Sequence, residues 1–84
     1  MAYMSQEGYD KLVAELHDLE TIERPAASAA IAEARDKGDL SENSEYDAAK
    51  EHQAMLEIKI TQLKAIISDA KIIDTSKLKA DTVQ

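Results

Sequence analysis

The sequence predicts an all-α fold: a two-helix antiparallel coiled-coil hairpin with an acidic tip. Three observations predict it. Ala, Glu, Lys, Leu and Ile dominate and favour helix, whereas three Tyr as the only aromatics, two Gly and one Pro are poor material for a β-sandwich or an α/β domain. In the second half, Tyr46, Ala49, Gln53, Leu56, Ile60, Leu63, Ile67 and Ala70 alternate spacings of three and four, a sustained heptad seam with one polar member, Gln53. In the first half, Leu12, Leu16, Leu19, Ile22, Ala26, Ala30 and Ala34 form a weaker seam. Antiparallel pairing about a turn requires paired residue numbers to share a nearly constant sum. The pairs Leu12–Ala70, Leu16–Ile67, Leu19–Leu63, Ile22–Ile60, Ala26–Leu56, Ala30–Gln53 and Ala34–Ala49 satisfy that condition in one register.

Helix 1 is predicted over residues 6–37. Ser5 suits its N-cap, with Gln6 and Glu7 in the first turn. Pro25 lies inside it, removes an intrahelical hydrogen bond and disfavours helical geometry at Arg24, so a kink or short break is expected near 22–25 rather than a domain boundary. Gly38 begins the tip, residues 38–42. Helix 2 is predicted over 43–73, with two candidate capping boxes, Asp39 with Glu42 and Ser44 with Asp47. Residues 1–74 make the hairpin, and 75–84 read as a linker or frayed tail leading to an absent C-terminal domain. Small residues nearest the turn let the helix axes approach to about 8 Å. About 30 helical residues rise about 45 Å, so the expected shape is a long, slim prong.

Composition narrows the function classes. With 84 residues the chain suits one small domain, which buries only about 60% of its unfolded surface. The absence of Cys excludes disulfides and thiolate metal sites. No apolar run approaches the roughly 20 residues that span a bilayer, and MAYMSQEGYD has neither a basic nor an apolar signal region. The expectation is a soluble cytoplasmic protein with no membrane partner. A net charge of −7 argues against free binding to a nucleic-acid backbone, which needs clustered Lys and Arg to displace counterions, and favours docking on a basic surface or near a metal ion.

The charge is concentrated at the tip. From Asp36 to Asp47, twelve residues hold five carboxylates, Asp36, Asp39, Glu42, Glu45 and Asp47, with Lys37 as the only base. If residues 39–42 form a first helical turn, Asp39 and Glu42 share a face with Cβ atoms roughly 5–6 Å apart. Carboxylate oxygens suit Mg²⁺, yet two of them at a solvated tip hold it weakly unless a partner completes the site. A metal completed in that way could activate water for phosphodiester hydrolysis. By spacing alone the bland reading is the commoner one, because acids at a helix start also stabilise the helix dipole.

GDLSENSEYDAAKE, residues 38–51, resembles the signature of the Gre family of bacterial transcript cleavage factors. The resemblance extends to MSQEGYDKL, ERPAASAAIAEARDKGDL and AKIID, and covers roughly residues 1–74. It implies the N-terminal coiled-coil domain of that family, which enters the secondary channel of bacterial RNA polymerase. There it stimulates the polymerase's own cleavage of backtracked RNA, as an accessory factor rather than an enzyme. By motif position the resemblance implies that Asp39 and Glu42 are the catalytic acids, helping to hold Mg²⁺ jointly with the polymerase and not tightly alone. Arg35 and Lys50 match basic positions implied to contact the RNA 3′ end, against an equally simple reading as helix-surface charge. Asn43 could orient a tip carboxylate or cap helix 2, and Glu45 supports the tip as a helix-start acid. Tyr46 reads as seam packing, Met55 as a flanking core residue, and His17 and His52 as solvated. The family continues into a C-terminal globular domain that docks on the polymerase, and this chain stops short of it. Two alternatives stand beside cleavage: a channel-binding regulator that does not promote it, and a structural coiled coil that self-associates through leucines uncovered at the open end.

Overall fold

The computed structural model describes residues 2–39 and 42–73. The chain runs through strand β1 (Ala2–Ser5), helix α1 (Gln6–Asp18), a π-helical turn (Leu19–Glu23), helix α2 (Arg24–Asp36), the tip, helix α3 (Ser44–Asp69) and strand β2 (Ala70–Ile73). The first three helical segments follow one another without interruption, so a single bent helix runs from Gln6 to Asp36 and packs along α3. The result is a slender hairpin with principal extents of 71 × 19 × 14 Å. The tip contains residues 40 and 41, which lie outside the described residues, as does the predicted tail at 75–84.

Ser5 starts α1 as the sequence predicts. Its backbone is extended and its Oγ accepts a hydrogen bond from the Gly8 amide at 3.0 Å, satisfying one of the amides left unpaired at a helix start. The disturbance expected at 22–25 is present, but it takes the form of a widened turn rather than a break. The Arg24 amide donates to the Leu19 carbonyl, five residues back, and the next residue, Pro25, has no amide to donate. In a regular α-helix the Pro25 ring would collide with the carbonyl four residues earlier, at Thr21; widening the turn relieves that collision. Thr21 also turns its Oγ1 back to donate to the His17 carbonyl at 2.7 Å, a bond that commonly bends helices.

The widened turn moves the seam by one residue, and this corrects the predicted packing of helix 1. Leu12 and Leu16 are half-buried and Leu19 is buried, as expected. Beyond the turn the buried residues are Ala27, Ile31 and Ala34, while Ile22, Ala26 and Ala30 are exposed. A π turn takes in one extra residue, so every later side chain is carried about 100° around the axis, and the heptad count made for an unbroken helix falls one short. Only Ala34 belongs to both lists.

α3 follows its predicted seam from Tyr46 to Ile67. Leu56, Ile60 and Leu63 are buried, and Tyr46, Ala49, Gln53 and Ile67 are half-buried; Ala70, the last predicted seam position, is half-buried in strand β2. Leu19, Ala27, Leu56, Ile60 and Leu63 form the main core, with Leu12 and Leu16 packed against it. Of the leucines expected to lie uncovered at the open end, Leu19 belongs to this core, while Leu12 and Leu16 pack against it and stay half-exposed. Met55, expected to flank the core, is 64% exposed.

Mid-length, charged side chains tie the helices together. Arg24 meets Glu57 through two parallel bonds, Nε to Oε2 at 2.9 Å and Nη2 to Oε1 at 2.8 Å. Glu20 receives Lys64 at 3.0 Å, and Glu15 receives Lys59 at 3.3 Å. The bonds from Arg24 hold the Glu57 carboxyl below its ordinary value and, reciprocally, hold the Arg24 guanidinium above its own.

The base differs from the predicted helix end. Helix 2 does not continue to residue 73: α3 ends at Asp69, the backbone is extended from Ala70, and Ala70–Ile73 pair in parallel with Ala2–Ser5, Ala2 opposite Ala70 and Ser5 opposite Ile73. Ile72 and Ile73 are β-branched and suit an extended strand. Their partner comes from the other end of the chain, so a local pattern cannot reveal it.

Candidate functional site

The tip is built from the end of α2, the start of α3 and the turn between them. α2 ends as the Lys37 amide donates to the Ala34 carbonyl at 3.2 Å and the Gly38 amide to that of Arg35 at 3.5 Å. Gly38 then adopts φ 156°, a backbone conformation open to glycine and strained for other residues. A bond from the Glu42 amide to the Asp39 carbonyl, 3.2 Å, closes a tight turn. Asp39 and Glu42 therefore stand at the two ends of this turn, outside both helices. They are brought together, but not on the first turn of a helix as the sequence suggested.

Neither predicted capping box starts α3. Asn43 does: its Oδ1 accepts from the Tyr46 amide at 3.1 Å, and its carbonyl accepts the Asp47 amide at 3.1 Å. Its Nδ2 reaches in the opposite direction and donates to the Ala34 carbonyl at 2.6 Å. Glu45 lies in the first turn of α3, where a carboxylate complements the helix dipole. It also accepts from Lys37 Nζ across the turn at 3.1 Å, with Glu33 a further 3.7 Å neighbour of the same ammonium. The bond to Glu45, reinforced by attraction to Glu45 and Glu33, raises the Lys37 ammonium above its ordinary value, so it is charged at neutral pH.

Lys37, Gly38, Asp39, Glu42, Asn43 and Glu45 line one shallow open depression at the apex. All five carboxylates of the run 36–47 are exposed. Among the described residues no cluster of three or more His, Cys, Asp or Glu could hold a metal ion. The donor set at the tip thus fits Mg²⁺ as two hard oxygen ligands of a site completed from elsewhere, not as a self-sufficient one.

The other sequence candidates sit around this apex. Arg35 is exposed in the last turn of α2, and Lys50 is exposed about 9 Å along α3 from its first residue. Among the described residues neither enters an ion pair, in contrast to Lys37. Tyr46 is half-buried on the seam, and His17 and His52 are exposed. Sequence reasoning left Lys37 without a role. Its signal was available, because as the only base among five acids it had to face one of them.

Fold and site together define a class: a helical prong that presents carboxylates at its apex instead of enclosing them in a cavity. Residues 2–72 match the family described as "Transcription elongation factor, N-terminal", the N-terminal domain of GreA and GreB, and the chain belongs to that family. It is 59% identical over 78 residues to the transcription elongation factor GreA of Flavobacterium psychrophilum, covering 93% of this chain and 49% of that protein. The GreA of Christiangramia forsetii is 53% identical over 83 residues, 99% of this chain and 52% of that protein. That of Rhodospirillum rubrum is 51% identical over 81 residues, 96% of this chain and 52% of the relative. The chain spans about half the length of these relatives. Among the described residues no helix is long and apolar enough to cross a membrane.

Proposed function

We propose that this chain is the polymerase-entering part of a bacterial transcript cleavage factor. It inserts its tip into the secondary channel of RNA polymerase, next to the 3′ end of backtracked RNA, and stimulates the polymerase's own Mg²⁺-dependent cleavage. It works in the cytoplasm, where the polymerase is, as an accessory factor and not as an enzyme. The observation that carries this reading is the pairing of Asp39 and Glu42 at the apex of a prong 19 × 14 Å across. Membership of the elongation-factor family supports it.

The chemistry follows from the tip. Asp39 and Glu42 present two carboxylates that would hold Mg²⁺ together with oxygen ligands of the polymerase and its RNA. When bound, that ion supplies charge stabilisation at the scissile phosphate and a water of lowered pKa. The remaining work falls to the chain's own residues. The Asp39–Glu42 turn keeps both carboxylates on one apex. Lys37 is held by Glu45 of the run and by Glu33 of α2, and it lines the same depression as Asp39 and Glu42. Arg35 and Lys50 stand behind the apex, one on each helix, where cationic side chains suit the phosphates of a displaced RNA 3′ segment. The free energy of binding comes from the partner, which explains why a tip that holds metal poorly by itself is adequate.

The test uses stalled, backtracked RNA polymerase carrying 3′-labelled RNA, Mg²⁺ and excess chain, either wild type or Asp39→Ala/Glu42→Ala. Short labelled fragments with wild type and none with the variant are expected. If wild type releases none, the assay is repeated with the remaining half of a GreA relative joined after Gln84. Cleavage restored there assigns the failure to docking. Channel binding without cleavage makes the chain a regulator of another kind and overturns the proposal.

A further inference from the structure

We infer that Asn43 is the positioning residue of the tip, a clamp that holds the Asp39–Glu42 turn closed against the repulsion of its own acids; this rests on the proposed role of those two carboxylates. One carboxamide is used in both directions. Nδ2 donates to the Ala34 carbonyl at the end of α2, and Oδ1 accepts from the Tyr46 amide at the start of α3. No other orientation of the amide satisfies both partners, because a carbonyl only accepts and a backbone amide only donates. A single side chain therefore ties the end of α2 to the start of α3 across the turn. Asn43 is half-buried, and its own carbonyl is engaged by the Asp47 amide, so neither its backbone nor its side chain is left free to swing.

Like charges on Asp36, Asp39, Glu42, Glu45 and Asp47 push the turn open. A second tie among the described residues, Lys37 to Glu45, joins two exposed side chains and is weakened by salt. The Asn43 bonds join neutral groups on both sides and are partly shielded, so they persist where the ion pair fades.

Cap and clamp can be separated by substitution. Asn43→Ser keeps a good N-cap acceptor but is too short to reach Ala34. Asn43→Asp keeps the acceptor and the size but presents a carboxylate, which cannot donate, to the Ala34 carbonyl. Both variants are expected to retain wild-type helix content by circular dichroism. In ¹⁵N relaxation of the chain alone, the Asp39 and Glu42 order parameters should fall from about 0.85 to below about 0.6 in both variants, with α3 beyond its first turn unchanged. In the cleavage assay, the rate at saturating chain should fall at least about tenfold, while the concentration for half-effect stays within about twofold. A pure cap would move neither readout. Unchanged order parameters overturn the inference, and so does lowered order with an unchanged cleavage rate. If wild type never supports cleavage, it is the cleavage reading that fails, and the relaxation result alone decides whether Asn43 holds the turn.

Discussion

Two isoleucines on the same bent helix, one on the widened turn and one beyond it, make the sharpest test of the packing. Ile31 is 6% exposed and Ile22 is 59% exposed. A heptad count that ignores the widened turn assigns them the other way round. Replacing Ile31 with Ala removes three buried carbons, about 2.4 kcal/mol at about 0.8 kcal/mol per buried methylene. The cavity left behind brings the cost to about 3 kcal/mol. Ile22→Ala removes carbons already largely in water, and surface changes of that kind stay within about 0.5 kcal/mol. The helix-propensity gain of Ala is common to both and cancels in the comparison. A domain of this size has about 4–12 kcal/mol to lose, so both variants should fold. At about 4–8 °C per kcal/mol, the Ile31 variant should melt roughly 10–20 °C below the Ile22 variant, followed by far-UV circular dichroism. Equal melting temperatures, or a lower one for Ile22→Ala, would refute the shifted seam and restore a regular helix through Pro25.

Further predictions follow from the same structure. Deleting the exposed Ile22 together with Pro25→Ala should close the widened turn into regular helix and keep Ala27, Ile31 and Ala34 on the buried face; a melting temperature below wild type by more than about 5 °C would show that the turn is required for packing. Gly38→Ala should cost about 1–3 kcal/mol in urea unfolding, from backbone strain alone, because a Cβ there meets nothing within 4 Å. The Glu57 carboxyl titrates below its ordinary value of 4.5, so its contribution is complete above that pH and is lost as pH falls through the lowered value. Arg24, held above its ordinary value by the same pair, stays charged through the neutral and alkaline range, so the pair is lost only on the acid side as Glu57 takes up a proton. Glu57→Gln should therefore flatten the acid limb of a stability profile below pH 4.5 and leave the shape between pH 6 and 9 unchanged.

What could be read from the sequence divides along physical lines. The seven seam positions of helix 2 from Tyr46 to Ile67 are buried or half-buried, because one regular helix carries its period for its whole length; the eighth, Ala70, is half-buried but already belongs to the strand. In helix 1 the same reasoning holds up to Leu19 and then slips by one. Pro25 marked where the disturbance would fall, but not that the chain would absorb it by adding a residue to a turn. The strand pair was missed because Ala2–Ser5 and Ala70–Ile73 acquire their partners only after the hairpin has closed. At the tip, the acids and the capping potential of Asn43 were visible in the residue types. The second bond of Asn43 and the Lys37–Glu45 tie depend on the path of the turn, and residue types do not encode that path. Met55 shows the limit of apolar character as a guide: it flanks the seam in sequence and faces water in the fold.

The parallel strand pair at the base has a mechanical consequence. Ala2 begins one strand and Ile73 ends the other, so tension applied between these two points slides the strands lengthwise past each other. All the rungs of the ladder are then loaded together and must yield as a group. An antiparallel pair at the same place would open one rung at a time, like a zip. The handle of the prong is in this way set in shear, and a pull on its ends is resisted at the base before it reaches the helices or the tip.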